Sequence, residues 1–127
     1  MAPLQKIVMI GLAGALGTLA RYGLSSWIQR HAAFGFPWGT FGVNVTGCFA
    51  FGLAWSVLEP RLGVSGEWRS VLLIGFMGGY TTFSSFVFET QQLLRDSEWL
   101  LAAGNLVGQN VLGIAFLFLG LAIGKLV

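Results

Sequence analysis

Four stretches of twenty or more largely apolar residues, separated by short polar connections, constrain this chain more than any other feature. They cover about residues 4–27, 38–58, 71–94 and 99–126. A helix rises 1.5 Å per residue, so about 20 residues cross the ~30 Å hydrocarbon core of a bilayer. Apolar segments of that length fold as helices in lipid, because each backbone N–H and C=O must be bonded within the segment. The expected fold is therefore an all-α integral membrane protein of four transmembrane helices, with residues 1–127 as a single membrane domain. The connections 29–37, 59–69 and 95–98 carry two of the three prolines and most of the charge. Trp27, Trp38, Trp68 and Trp99 fall at the expected span ends, where amphipathic rings favour the headgroup region. Lys6 gives only a thin basic start, and the first apolar stretch is too long for a cleaved signal. It reads as a retained span.

Composition excludes several classes. Only 9% of the residues are charged and 55% are hydrophobic, against roughly 25% charged in soluble domains. A soluble enzyme and a disordered tail are excluded. So is a nucleic-acid binder, because the 7 basic and 5 acidic residues form no basic stripe. Nineteen glycines occur without a G-X-Y period, so the chain is not collagen-like. Cys48 is the single cysteine and His31, in a polar connection, the single histidine. Neither a disulfide nor a Cys/His metal site is expected. No HExxH, P-loop or Ser/His/Asp set appears, so the chain does not read as an enzyme. The membrane-buried acid that a small multidrug exporter needs in its first span is also missing.

Four spans put both termini on one side. Lys6, Arg61, Arg69 and Lys125 then lie on that side, four in all, and Arg21, Arg30 and Arg95 at or near the other, three in all. Orientation follows Lys/Arg bias, and this division gives almost none. It leaves two readings open: noise in a short chain, or insertion both ways with pairing as an antiparallel dimer. A bundle this small suits pairing with a second copy. The spacings Gly104/Gly108 and Gly120/Gly124, with a ridge of Gly11, Gly14 and Gly17, provide close-packing faces.

Polar groups inside a span mark functional candidates. The third segment is the richest, from Gly75 to Glu89. Gly78-Gly79 and the β-branched Thr81-Thr82 weaken a helix near mid-membrane. A break there frees inward carbonyls that suit a small cation; the alternative is a continuous helix with glycines used for packing. At 100° per residue, Thr81, Ser85, Glu89 and Gln92 fall within roughly 80° of one another, with Phe83 and Phe86 on the opposite side. Phenyl edges carry partial positive charge, so rings beside hydroxyl donors suit a narrow anion path; plain packing is the alternative. Asn44 is the amide best placed for such a path. Asn105 and Gln109, at i,i+4 spacing, read as glue between helices. Arg21 either snorkels to the interface or adds positive potential at a pore mouth.

Together these residues resemble the fluoride channel family known as Fluc or CrcB. Gly14-Ala15-Leu16-Gly17 with Arg21-Tyr22, Pro37-Trp38-Gly39-Thr40 with Val43-Asn44 and Gly47, and Gly75 to Glu89 carry the resemblance. It implies a fluoride-selective channel of the cell (inner) membrane. Such a channel lets trapped fluoride leave passively and protects against fluoride toxicity. It implies an antiparallel, dual-topology dimer with a second copy or a paralogous subunit, and two pathways per dimer. Phe83 and Phe86 would line each pathway, and Asn44, Thr82, Ser84, Ser85 and Asn110 would supply its polar track. Arg21 and Glu89 would act at the mouth or in the scaffold. A structural sodium ion would sit at the dimer centre on the carbonyls of Gly78 and Thr81, with no organic cofactor. Aligned on Gly113, the chain carries Asn110 and Ile114 where the family often carries serines. Asn110 keeps a donor and Ile114 does not, which leaves open a non-conducting chain that works beside a partner subunit.

Overall fold

A computed structural model describes residues 1–58 and 60–127. Glu59, expected in the second connection, lies outside the described residues. The described residues are all-helical, without strands. Four stretches are long and apolar enough to cross a membrane: Pro3–His31, Trp38–Leu58, Gly66–Arg95 and Trp99–Leu126. The chain is a multi-pass membrane protein.

The first helix, α1 (Pro3–His31), starts on a proline whose missing N–H has no intrahelical partner to lose. It runs past the expected end of the span, so Gln29, Arg30 and His31 are helical and not part of the connection. The reason lies in Gln29. Its Nε2 donates to the Phe36 carbonyl at 3.0 Å, and its Oε1 accepts from the Gly39 N–H at 3.0 Å. One side chain thus ties the end of α1 to the start of α2 (Trp38–Leu58). The rings of Phe36, Trp38 and Phe41 cluster on the same corner, with centroids 4.5–5.7 Å apart.

The third stretch is compound. It comprises α3 (Gly66–Ser70), a π-helical segment (Val71–Phe76), α4 (Met77–Tyr80) and α5 (Phe83–Arg95). In the π-helical segment the bonds reach one residue further, and the Met77 N–H donates to the Leu72 carbonyl. Gly78 and Gly79, the expected weak point, are themselves helical. The extended residues are Thr81 (φ −88°, ψ 157°) and Thr82 (φ −146°, ψ 113°). β-Branched side chains fit extended backbone, and the Thr82 hydroxyl opens the next helix by accepting the Ser85 N–H at 3.3 Å.

The glycines serve close approach instead. A Cβ on Gly79 would press on the Gly14 carbonyl, and one on Gly17 on the Phe76 carbonyl. α1 therefore lies backbone to backbone against the π-helical segment and α4. In the expected ridge Gly14 and Gly17 make this contact, whereas Gly11 faces open space. The most extensive pairing joins α2 to α6 (Trp99–Leu126). Gly120 meets the Phe49 carbonyl, Gly124 meets Ser56, and Gly52 meets the Leu117 carbonyl. The Gly120/Gly124 pair is thus used within the chain. Gly104 is open and Gly108 meets the Phe41 ring, so neither pair singles out a surface for a second copy.

Candidate functional site

Where α4 gives way to α5, a cavity of 360 Å³ opens between α2, the compound third stretch and α6. Asn44, Gly78, Thr81, Thr82, Phe83 and Phe86 line it, so most residues singled out by sequence converge. Asn110 lines it too. Ser84, Ser85, Arg21 and Glu89 do not, nor does Ile114.

The two rings differ. Their centroids are 5.9 Å apart with planes at 51°. Phe86 is buried, at 6% exposure, whereas Phe83 stands at 77%. Phe86 is therefore a fixed wall and Phe83 an open one.

The expected polar stripe assumed an unbroken helix from Thr81 onward. Thr81 is extended, so it leaves the stripe, and its hydroxyl donates to the Met77 carbonyl at 3.0 Å. The Thr82 hydroxyl donates to Ser85 Oγ at 3.0 Å. Ser84 and Gln92 are exposed. Glu89 turns to α2, where its Oε1 accepts the Thr40 hydroxyl at 2.7 Å. Its Oε2 is buried with no hydrogen-bond partner among the described residues.

Extended backbone inside a span needs replacement partners, because an unsatisfied peptide group in a lipid-like medium costs several kcal/mol. Asn44 supplies them at Thr82. Its Oδ1 accepts the Thr82 N–H at 2.8 Å and its Nδ2 donates to the Thr82 carbonyl at 3.0 Å. The second hydrogen of Nδ2 goes to Gln109 Oε1 at 2.7 Å. Both Asn44 N–H bonds are therefore held by the protein. Arg21 does the same for Gly79, its Nε donating to that carbonyl at 2.9 Å. It reaches the third stretch and does not line the cavity. Two carbonyls are released by the same geometry. In a continuous helix Gly78 would receive the Thr82 N–H and Thr81 the Ser85 N–H. Those donors go to Asn44 and to the Thr82 hydroxyl instead.

Sequence reasoning placed Asn105 and Gln109 as glue and missed their connection to the site. Gln109 Nε2 donates to Asn105 Oδ1 at 2.9 Å, and Asn105 Nδ2 donates to Thr90 Oγ1 at 2.9 Å. The Thr90 hydroxyl in turn donates to the Phe86 carbonyl at 2.8 Å. Asn110, one residue on, is exposed and donates to its own helix at the Leu106 carbonyl, 2.7 Å away. The i,i+4 spacing of Asn105 and Gln109 was the available signal. It gave a shared face but not the helix they face.

The fold and site define a small multi-pass membrane protein whose polar side chains converge, inside the spans, on an extended dipeptide flanked by two phenyl rings. The chain belongs to the family described as CrcB-like protein, Camphor Resistance (CrcB), whose sequence profile matches residues 8–121. It is similar to the fluoride-specific ion channel FluC of Nitrosococcus oceani, with 54% identity over 97% of this chain and 98% of that one. Similarity to the fluoride-specific ion channel FluC of Nitratidesulfovibrio vulgaris (strain Miyazaki F) is 55% identity over 98% of this chain and all of that one. A fluoride-specific ion channel FluC of Desulforapulum autotrophicum is 51% identical over 97% of this chain.

Proposed function

We propose that this chain is a fluoride-selective channel that lets fluoride leave the cell passively across the inner membrane. The observation that carries the reading is the convergence of Asn44, Thr82, Phe83 and Phe86 on one cavity, in a chain 51–55% identical to named fluoride channels. A small, strongly hydrated anion needs replacement for its water. On the cavity wall the second N–H of the Asn110 amide can donate, and the edges of Phe83 and Phe86 present weak positive charge without a cation that would trap the ion; the hydroxyls of Ser84 and Ser85 lie outside that wall and would join the path only beyond it. Asn44 serves the path by holding Thr82, since its own N–H bonds are engaged. Glu89 stays off the cavity, bonded to Thr40.

The cavity is open on one face, which favours closure by a second copy. An antiparallel dimer agrees with the near-even division of basic residues, four against three. Gly78 and Thr81 would then face their counterparts. Their carbonyls have lost their helical donors, and a Cβ on Gly78 would meet no atom within 4 Å. Uncharged oxygen donors of this kind fit a sodium ion. Bound there, sodium would supply a fixed positive charge between the copies. Ile114 does not line this cavity, and a non-conducting chain that works beside a partner subunit stays the alternative reading.

The test is ion release from liposomes holding only this chain, with fluoride and chloride compared. Rapid fluoride loss with little chloride loss is expected; equal loss of both, or none, would overturn the proposal.

A further inference from the structure

A closed chain of hydrogen bonds runs from Thr82 out through α2 and α6 and back to α5 at Phe86, and its direction is fixed at both ends. Thr82 sets one end: its N–H can only donate and its carbonyl only accept. Asn44 must therefore turn Oδ1 to the N–H and Nδ2 to the carbonyl, leaving one N–H for Gln109 Oε1. Phe86 sets the other end. Its carbonyl can only accept, and takes the Thr90 hydroxyl hydrogen. Thr90 Oγ1 is left as the acceptor for Asn105 Nδ2, Asn105 Oδ1 as the acceptor for Gln109 Nε2, and Gln109 Oε1 for Asn44. The two ends reach the same order independently. Turning over any one amide would set donor against donor or acceptor against acceptor.

Asn44 and Gln109 border the cavity, and burial keeps water from the links beyond them. Asn105 is 0% exposed, Gln109 7% and Thr90 8%. A lost link there is left unpaired and not rehydrated. Asn105 and Thr90 do not line the cavity.

We propose that Asn105 and Thr90 are positioning residues that act through Gln109 on Asn44. They hold the Asn44 amide in the one orientation that keeps Thr82 extended, and they tie that orientation to the backbone of Phe86, the buried ring of the cavity. Their importance to conduction rests on the fluoride-channel reading above; their hold on Thr82 does not.

The experiment uses the full chain, with hydrogen exchange at the Thr82 N–H followed by NMR in micelles and fluoride efflux followed in liposomes. Thr90→Val and Asn105→Leu remove a link, whereas Thr90→Ser keeps the hydroxyl. Both disrupting variants are expected to speed Thr82 exchange by about tenfold and to slow efflux by a similar factor, with Thr90→Ser close to the parent in both. Unchanged Thr82 exchange in the two disrupting variants overturns the proposal. So does faster exchange spread evenly over α2, α5 and α6, which marks general loosening. If the parent chain passes no fluoride yet Thr82 exchange follows the variants, the positioning stands and the channel reading falls.

Discussion

Asn44 and Thr82 bind each other twice. The Asn44 side chain accepts the Thr82 N–H at 2.8 Å and donates to the Thr82 carbonyl at 3.0 Å. The Asn44 amide thereby takes up the Thr82 N–H that a continuous third helix would have bonded to the Gly78 carbonyl, and adds a second donor at the carbonyl that caps α5. Asn44→Asp has the same shape but turns an acceptor towards the Thr82 carbonyl and Gln109 Oε1. It is expected to cut fluoride efflux by at least about tenfold, the equivalent of ~1.4 kcal/mol. Efflux per chain, measured on preparations confirmed as folded by gel filtration, checks this.

The glycines of α1 separate by what surrounds them. Gly17→Ala places a methyl on the Phe76 carbonyl, and Gly79→Ala places one on the Gly14 carbonyl. Each is expected to destabilise by about 1–3 kcal/mol, as overpacking does. Gly11→Ala meets no atom within 4 Å and should be neutral or stabilising by up to ~1 kcal/mol through helix propensity. Thermal unfolding of the three variants in detergent gives the order.

The two phenylalanines should respond differently in stability and alike in transport. Phe86→Ile removes a ring that is 6% exposed and is expected to cost about 1 kcal/mol of stability. Phe83, 77% exposed, should tolerate Ile with little change. Both substitutions remove a ring edge from the cavity and should lower fluoride efflux. Thermal unfolding and efflux, measured on the same preparations, separate the two effects.

Sodium should stabilise the folded chain if Gly78 and Thr81 hold it. A ligand at 100 times its dissociation constant adds about 2.7 kcal/mol to the state that binds it. Exchanging sodium for N-methylglucamine at constant ionic strength should therefore lower the unfolding temperature, and returning sodium should restore it. Equal unfolding temperatures in both media would remove the sodium site from the account.

Four spans and the polar richness of the third were legible from residue type alone, because bilayer thickness fixes span length and lipid excludes idle polar groups. Asn44 and Thr82 stood out for the same reason, whereas Phe83 and Phe86 joined them as a set only through the family resemblance. The place of the extended residues was not. Glycine pairs weaken a helix in isolation, but Gly79 is held helical by its contact with α1 and by the Arg21 guanidinium, and the extension passes to Thr81-Thr82. The polar stripe lost Thr81 with it, since angular arithmetic holds only along an unbroken helix, while Ser85, Glu89 and Gln92 keep their shared face on α5. Gln109 was legible as a buried amide, but not as the neighbour of Asn44. That contact depends on how α2 lies on α6, which Gly52, Gly120 and Gly124 fix across a long sequence separation.

The central claim is a selective path for fluoride, and fluoride efflux from liposomes holding only this chain tests it most directly. The account predicts fast fluoride release, chloride release slower by at least about two orders of magnitude, a difference of ~2.7 kcal/mol, and loss of the fluoride signal in Phe83→Ile and Phe86→Ile. Fluoride release no faster than from empty liposomes, or chloride released at the same rate, would contradict it.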